Sequence, residues 1–294
     1  MGEKFKQLNS YKIFNLSFMA KIVLGVDAAW TAHHPAGVAL VKIPQRNRPR
    51  LLRVARSYEE FCQMADNQEI DWPTKVHGSE PNIPALLAVC ERIAGAMPNV
   101  IALDIPIGPQ LITRRRAADR MVTSAYITRK AGTHSPTATR PGPISKMLFE
   151  QLLACGFEWL HAKAAFSRNK NFRVFIEAYP HPAIIELLNL EERLKYKVSK
   201  LQKYWPNFNR NERWAAVAQN LTRLRAALDK RLAGVADWLP SAKSLIKNGP
   251  ASRLKGYEDA LDAIVCAWIG CEFLAGRCAA YGDEKSAIWL PRPA

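Results

Sequence analysis

The chain has 294 residues, 48% hydrophobic and 23% charged, which suffices for one large α/β domain or two ordinary ones with a real core and excludes disorder, collagen-like repeats and small disulfide scaffolds. Lys and Arg number 42 against 26 Asp and Glu, a formal net charge of +16, and a balance this basic favours an anionic partner such as nucleic acid or a phosphorylated ligand. The surplus is local: residues 111–255 carry 27 basic and 10 acidic side chains, while the remainder of the chain is close to neutral. No apolar run is long enough for a transmembrane helix and no internal period repeats, so no membrane partner is expected.

Residues 1–20 read as a flexible leader, and 21–294 as a single domain. From Lys21, KIVLGVDAAW is a short β-branched apolar run ending in an acid; GVALVKI and LLRVARSY repeat the strand signal at hairpin spacing, which predicts an antiparallel meander. IPALLAVCERIAGAM, over 83–97, has helical spacing, and VIALDIPIG is a continuous apolar strand of the buried kind. The stretch 111–255 reads as a largely helical basic insertion containing a fifth strand. RRRAADRMV and ISKMLFEQLLACGFEWL are amphipathic, the intervening THSPTATRPGP is irregular, and FRVFIEAYP is the strand, followed by the helix HPAIIELL. NERWAAVAQNLTRLRAAL adds a long helix, GYEDALDAIVCAWIGCEFLAG another, and AIWLP closes the chain as a strand.

The six cysteines (Cys62, Cys90, Cys155, Cys266, Cys271 and Cys278) form no C-x-x-C pair and have no histidine at zinc spacing, so they read as small buried hydrophobes in a reducing, cytoplasmic setting. The glycine-rich signatures of dinucleotide and P-loop sites are absent, as are H-E-x-x-H and G-x-S-x-G.

Acidic residues stand where strand and helix signals are strongest: Asp27, Asp104, Glu177, and the group Glu258, Asp259 and Asp262 opening the last long helix. At about 100° per residue the last three share one helix face. Carboxylates in apolar surroundings are costly unless paired or metal-bound, and several brought together suit Mg²⁺ or Mn²⁺. Two such ions about 4 Å apart would activate water and stabilise the leaving oxygen in phosphodiester hydrolysis. Four of these acids also have a plainer reading, whereas Asp262, in an apolar stretch, is harder to dismiss. Asp27 and Asp104 could cap turns, Glu177 could pair with an arginine, and Asp259 could be a first-turn helix charge.

VLGVDAAW, IALDIPIG, FIEAYPHPA and YEDALDAIVCAW, in that order, resemble the motifs of the family numbered 429 among domains of unknown function, whose members are predicted ribonuclease H-like nucleases. The resemblance runs from about residue 21 to the end of the chain. It implies a ribonuclease H-like mixed sheet flanked by helices and a divalent-metal-dependent nuclease, with Asp27 and Asp104 as metal ligands, Asp262 with Asp259 as the ligands of the last helix, and Glu177 as the fifth-strand acid, all five being candidate catalytic residues. In that reading Arg114, Arg115, Arg116, Arg120, Arg129, Arg140 and Lys255 would meet backbone phosphates of nucleic acid. Lys255 could equally pair with the acids on its own helix. Trp205, Phe208 and Trp214, interleaved with Lys203, Arg210 and Arg213, would suit base stacking or a packed helical cap.

Two other readings compete. A non-catalytic nucleic-acid binder would keep the fold and the basic surface. A phosphoryl-transfer enzyme of the actin and sugar-kinase type would need a glycine-rich turn after the first strand, where AAWTAHHPAG offers Trp30 and a single glycine.

Overall fold

The computed structural model describes residues 20–65, 68–164, 172–247 and 253–293. Most of the expected leader therefore lies outside the described residues. Strands β1 (Lys21–Asp27), β2 (Gly37–Ile43) and β3 (Arg50–Ala55) form the expected antiparallel meander, in which Asp27 pairs with Gly37. Helix α1 (Tyr58–Gln63) follows at once, its first turn capped by Ser57, whose Oγ accepts from the Glu60 N–H. Helix α2 (Ile83–Ala94) starts at Asn82 as N-cap and stops at Gly95, which takes the left-handed conformation that ends many helices. Strand β4 (Val100–Leu103) then runs parallel to β1.

The middle of the chain contributes α3 (Ala117–Tyr126), α4 (Pro143–Ala154), the two-residue strand β5 (Glu158–Trp159), β6 (Val174–Ala178) and α5 (Pro180–Leu188). The sequence suggested one amphipathic segment through residue 160. Instead the helix stops at Ala154, because Gly156 turns the backbone at φ +79° and lets Glu158–Trp159 join the sheet. The expected fifth strand is therefore β6. A 3₁₀ turn (Val198–Lys200) and helices α6 (Leu201–Tyr204), α7 (Arg210–Arg231), α8 (Val235–Trp238), α9 (Ala242–Lys247) and α10 (Leu254–Leu274) follow. Strands β7 (Cys278–Gly282) and β8 (Ala287–Pro291) complete the fold. Among the described residues no helix is long and apolar enough to cross a membrane.

The result is an α/β fold with one mixed sheet of eight strands in the order β3-β2-β1-β4-β6-β8-β7, β5 pairing with β6. Strands β1, β4, β6 and β8 are mutually parallel. Parallel neighbours end at the same edge of a sheet, so Asp27, Asp104 and Glu177 arrive there together. The register enforces this: Val26 pairs with Leu103 and Leu103 with Glu177, while the Asp104 N–H donates to the Val26 carbonyl at 2.8 Å.

Helix α10 packs on β1, β2 and β4, and every residue from Tyr257 to Cys271 is buried. Its approach to the sheet leaves no room for side chains at the contact. A Cβ at Gly25 would lie 2.3 Å from both the Ala263 carbonyl oxygen and the Ala267 nitrogen, and one at Gly37 would lie 2.1 Å from the Asp259 carbonyl oxygen. Gly37 thus lets the acidic first turns of α10 rest against the end of β1. We expect Gly25→Ala to destabilise the protein by at least about 1–3 kcal/mol in urea unfolding, the usual cost of overpacking. Gly108→Ala, whose new methyl would find its nearest neighbour 3.7 Å away, should leave the midpoint nearly unchanged.

Candidate functional site

A cavity of about 810 Å³ opens at the edge where β1, β4 and β6 end. Its walls come from the turn after β1 (Trp30, His34), the segment before α4 (Thr133 to Arg140), the segment 196–200 and the start of α10. Asp27, Asp104, Asp119, Glu177, Glu258 and Asp259 all line it. Asp262 is fully buried and lies outside the lining.

These acids divide into two classes by what their oxygens touch. Glu177 is fully engaged: Arg116 donates to both of its oxygens at 2.6 Å, and the Ile107 N–H donates at 3.0 Å. Arg116 also grips Asp119, with guanidinium-to-carboxylate distances of 2.9 and 3.0 Å. Asp262 accepts from the Tyr196 hydroxyl at 2.7 Å on one oxygen and from the Lys197 ammonium on the other. Glu258 accepts from the Val198 N–H at 2.5 Å and lies 3.2 Å from the same ammonium. Three consecutive residues, Tyr196, Lys197 and Val198, therefore satisfy two buried carboxylates.

Asp27, Asp104 and Asp259 form the other class. Asp27 and Asp104 are half-buried, and neither carboxylate has a hydrogen bond or ion pair among the described residues. Asp259 is bound on one oxygen by Lys255, while its Oδ2 is buried with no partner. Burial, then the charge of Asp262, drives the Asp27 carboxyl well above the ordinary range, with Asp259 and Asp104 adding to the effect and Lys197 opposing it. Burial likewise pushes Asp104 up to about 7 against the pull of Lys197, and Asp259 up to about 6 against the pull of Lys255. Burial works against the Lys197 ammonium too, yet Asp262, Tyr196 and Glu258 hold its pKa well above the usual value. Among the described residues no three His, Cys, Asp or Glu side chains form a ready-made metal-holding group. The donors themselves suit a hard divalent cation, because carboxylate oxygens without partners in a shared cavity attract positive charge.

Several basic residues expected to meet phosphate are engaged by acids, hydroxyls and carbonyls of the protein itself, which corrects that reading. Arg116 is closed in its pairs with Glu177 and Asp119. Arg115 donates to Thr123 Oγ1, Thr133 Oγ1 and the Asp119 carbonyl, fixing one wall of the cavity. Arg129 is tied to Glu186 and the Leu190 carbonyl, and Lys255 to Asp259 and Glu258. Arg120 donates to the Arg115 carbonyl, and Arg114 is exposed. Arg140 does face the cavity, its guanidinium 5.6 Å from the Trp30 ring centroid. Trp205 and Phe208 stack on each other, and Arg213 is used on the carbonyls of Trp205 and Pro206, an arrangement that fits the packed cap.

Sequence reasoning missed Tyr196, Lys197 and Lys200. They sit in EERLKYKVSK, a polar run without periodicity, where nothing marks one lysine from another. His181 is buried against Tyr179 and Tyr196 and also lines the cavity. Burial, then Lys197, Lys200 and Arg193, hold its imidazole well below its usual pKa, so it is neutral at pH 7.

A family model described as protein of unknown function (DUF429) matches residues 25–286. No curated protein and no solved structure matches the chain.

The carboxyl shifts have a defined sign. A carboxyl whose pKa is raised by folding binds its proton more tightly in the folded state, so its ionisation destabilises the protein as pH rises from the unfolded value through the folded one. For Asp104 that window runs from the ordinary value of 3.8 to about 7. In chelator-treated buffer we expect Asp104→Asn to be more stable than wild type at pH 8, by about 1–3 kcal/mol, and the gain to vanish towards pH 4. The neutral histidines act in the opposite sense below about pH 6.5, but they are common to both proteins and cancel in the difference. Urea unfolding across that range checks the trend.

Proposed function

The chain belongs to the DUF429 family, and we propose that it is a nuclease that hydrolyses phosphodiester bonds of nucleic acid with a divalent cation, Mg²⁺ or Mn²⁺, held by Asp27, Asp104 and Asp259. The observation that carries this reading is the gathering of three carboxyl groups at one cavity, with no hydrogen-bond partner on Asp27, Asp104 or Asp259 Oδ2. The sheet supports it as well. The order β3-β2-β1-β4-β6, with β1 antiparallel to β2 and parallel to β4, and a closing acidic helix packed on β1, is the arrangement expected of a ribonuclease H-like fold.

A cation bound there would lower the pKa of a water molecule and draw charge from the phosphate. The chain's own residues supply the rest. Arg140, exposed on the rim, neutralises a backbone phosphate, and Trp30 beneath it offers a face for a base. Lys200 and His134 line the same cavity and face an anionic substrate. Arg116 positions Glu177, which accepts from the Ile107 N–H and so fixes the loop that follows Asp104.

The competing readings fit less well. A binder of nucleic acid without a cation would bring phosphate against unneutralised carboxylates, at a cost in repulsion. A kinase-like phosphate turn needs free backbone amides after β1, but Trp30 occupies that turn and Gly37 is used to seat α10.

With Mn²⁺ present, end-labelled single-stranded and duplex DNA and RNA should reveal cleavage by the wild type, and Asp27→Asn or Asp104→Asn should lower the rate at least about 100-fold. Cleavage that persists in Asp27→Asn at the wild-type rate would contradict the assignment. Arg140→Ala should weaken binding and reduce the salt-dependence slope by about one phosphate contact.

A further inference from the structure

We propose that Lys197 stands in the place of a second cation, so that the cavity takes one divalent ion and not a pair. This inference rests on the cation-dependent reading above and concerns how many ions that site holds.

A pair of ions about 4 Å apart needs acid oxygens for both. On α10 those oxygens are spent: both of Asp262's are taken by Tyr196 and Lys197, and both of Glu258's by the Val198 N–H and the Lys197 ammonium. Asp262 is also fully buried and outside the cavity lining. The free oxygens belong to Asp27, Asp104 and Asp259, and Asp259 Oδ2 is buried, unpartnered and part of the cavity wall, which points to a ligand there.

The position of the ammonium adds an electrostatic argument. Lys197 acts on Asp27, Asp104, Asp259 and Asp262 alike, favouring the ionised form of each. It is thus a fixed positive charge shared by the cluster, and a second dication would have to displace it from Asp262 and withstand its repulsion. The lysine is bound to α10 through a segment anchored on both sides, by the Tyr196 hydroxyl and the Val198 N–H. It is therefore built into the site and does not swing freely at its margin.

Calorimetric titration of Mn²⁺ into the full chain without nucleic acid, for wild type, Lys197→Arg and Lys197→Met, tests the proposal, with electron paramagnetic resonance on the same samples to detect coupled ion pairs. We expect one ion on wild type and on Lys197→Arg, and two ions with a spin-coupled signal on Lys197→Met, because the methionine removes the ammonium from one oxygen each of Asp262 and Glu258 and puts no charge in its place. Two ions on wild type would overturn the role of Lys197 while leaving the cation-dependent reading intact, and a single ion on Lys197→Met would do the same. Absence of binding in all three would remove the cation-dependent reading and this proposal with it. Should Lys197→Met fail to fold, the stoichiometries of wild type and Lys197→Arg decide: one ion on each supports the proposal, and two on either overturns it.

Discussion

Helix α10 lies so close to the sheet that hydrogen is the largest side chain tolerated at Gly25 and Gly37. The chemistry at the cavity depends on that contact. Because Gly37 pairs with Asp27 across β1 and β2 and also touches the Asp259 backbone, the closing helix is brought against the end of the first strand. Parallel pairing of β4 and β6 brings Asp104 and Glu177 to the same edge. Carboxylates from four elements far apart in the chain thereby share one cavity, at the carboxyl ends of parallel strands where open α/β sheets commonly bind ligands.

Bringing acids together is costly, and the protein meets the cost in two ways. Arg116 neutralises Glu177 and Asp119, and the segment Tyr196–Val198 satisfies Asp262 and Glu258, so these four act as structural ion pairs that hold the loops and α10 in place. Asp27, Asp104 and the buried Oδ2 of Asp259 are left without a partner. Such groups weaken the fold in the absence of a ligand, a trade commonly made where function requires it. The division also separates positioning residues from those that would hold a cation, a distinction that acidity and helix periodicity alone do not make.

The elements that build the sheet were readable because their apolar runs are strong and their ends marked. KIVLGVD, VIAL and VFIEA stand out as buried strands, and each carries or precedes an acid whose apolar surroundings make it costly. The plainer reading of Glu177 as an arginine's partner describes its contacts, and Arg116 is that arginine. The strand β5 was not readable, since two residues carry no periodicity and its existence depends on a tertiary pairing with β6. Neither was the role of Lys197, which is set by where a loop without pattern lands on α10. The basic surplus misled for a related reason. A composition count cannot tell an arginine that faces solvent from one that, like Arg115 or Arg129, is spent on carbonyls and carboxylates of its own chain.

The central claim is that the acids at this cavity fall into a satisfied and an unsatisfied class, and unfolding free energies of Asp27→Asn and Asp262→Asn, measured side by side in chelator-treated buffer at pH 8, test it most directly. The account predicts opposite signs. Asp27→Asn should stabilise the protein by removing an unanswered charge, whereas Asp262→Asn should destabilise it by about 3–5 kcal/mol by leaving the Lys197 ammonium without its partner. Destabilisation of similar size in both variants would contradict the division, and with it the assignment of Asp27 to a cation.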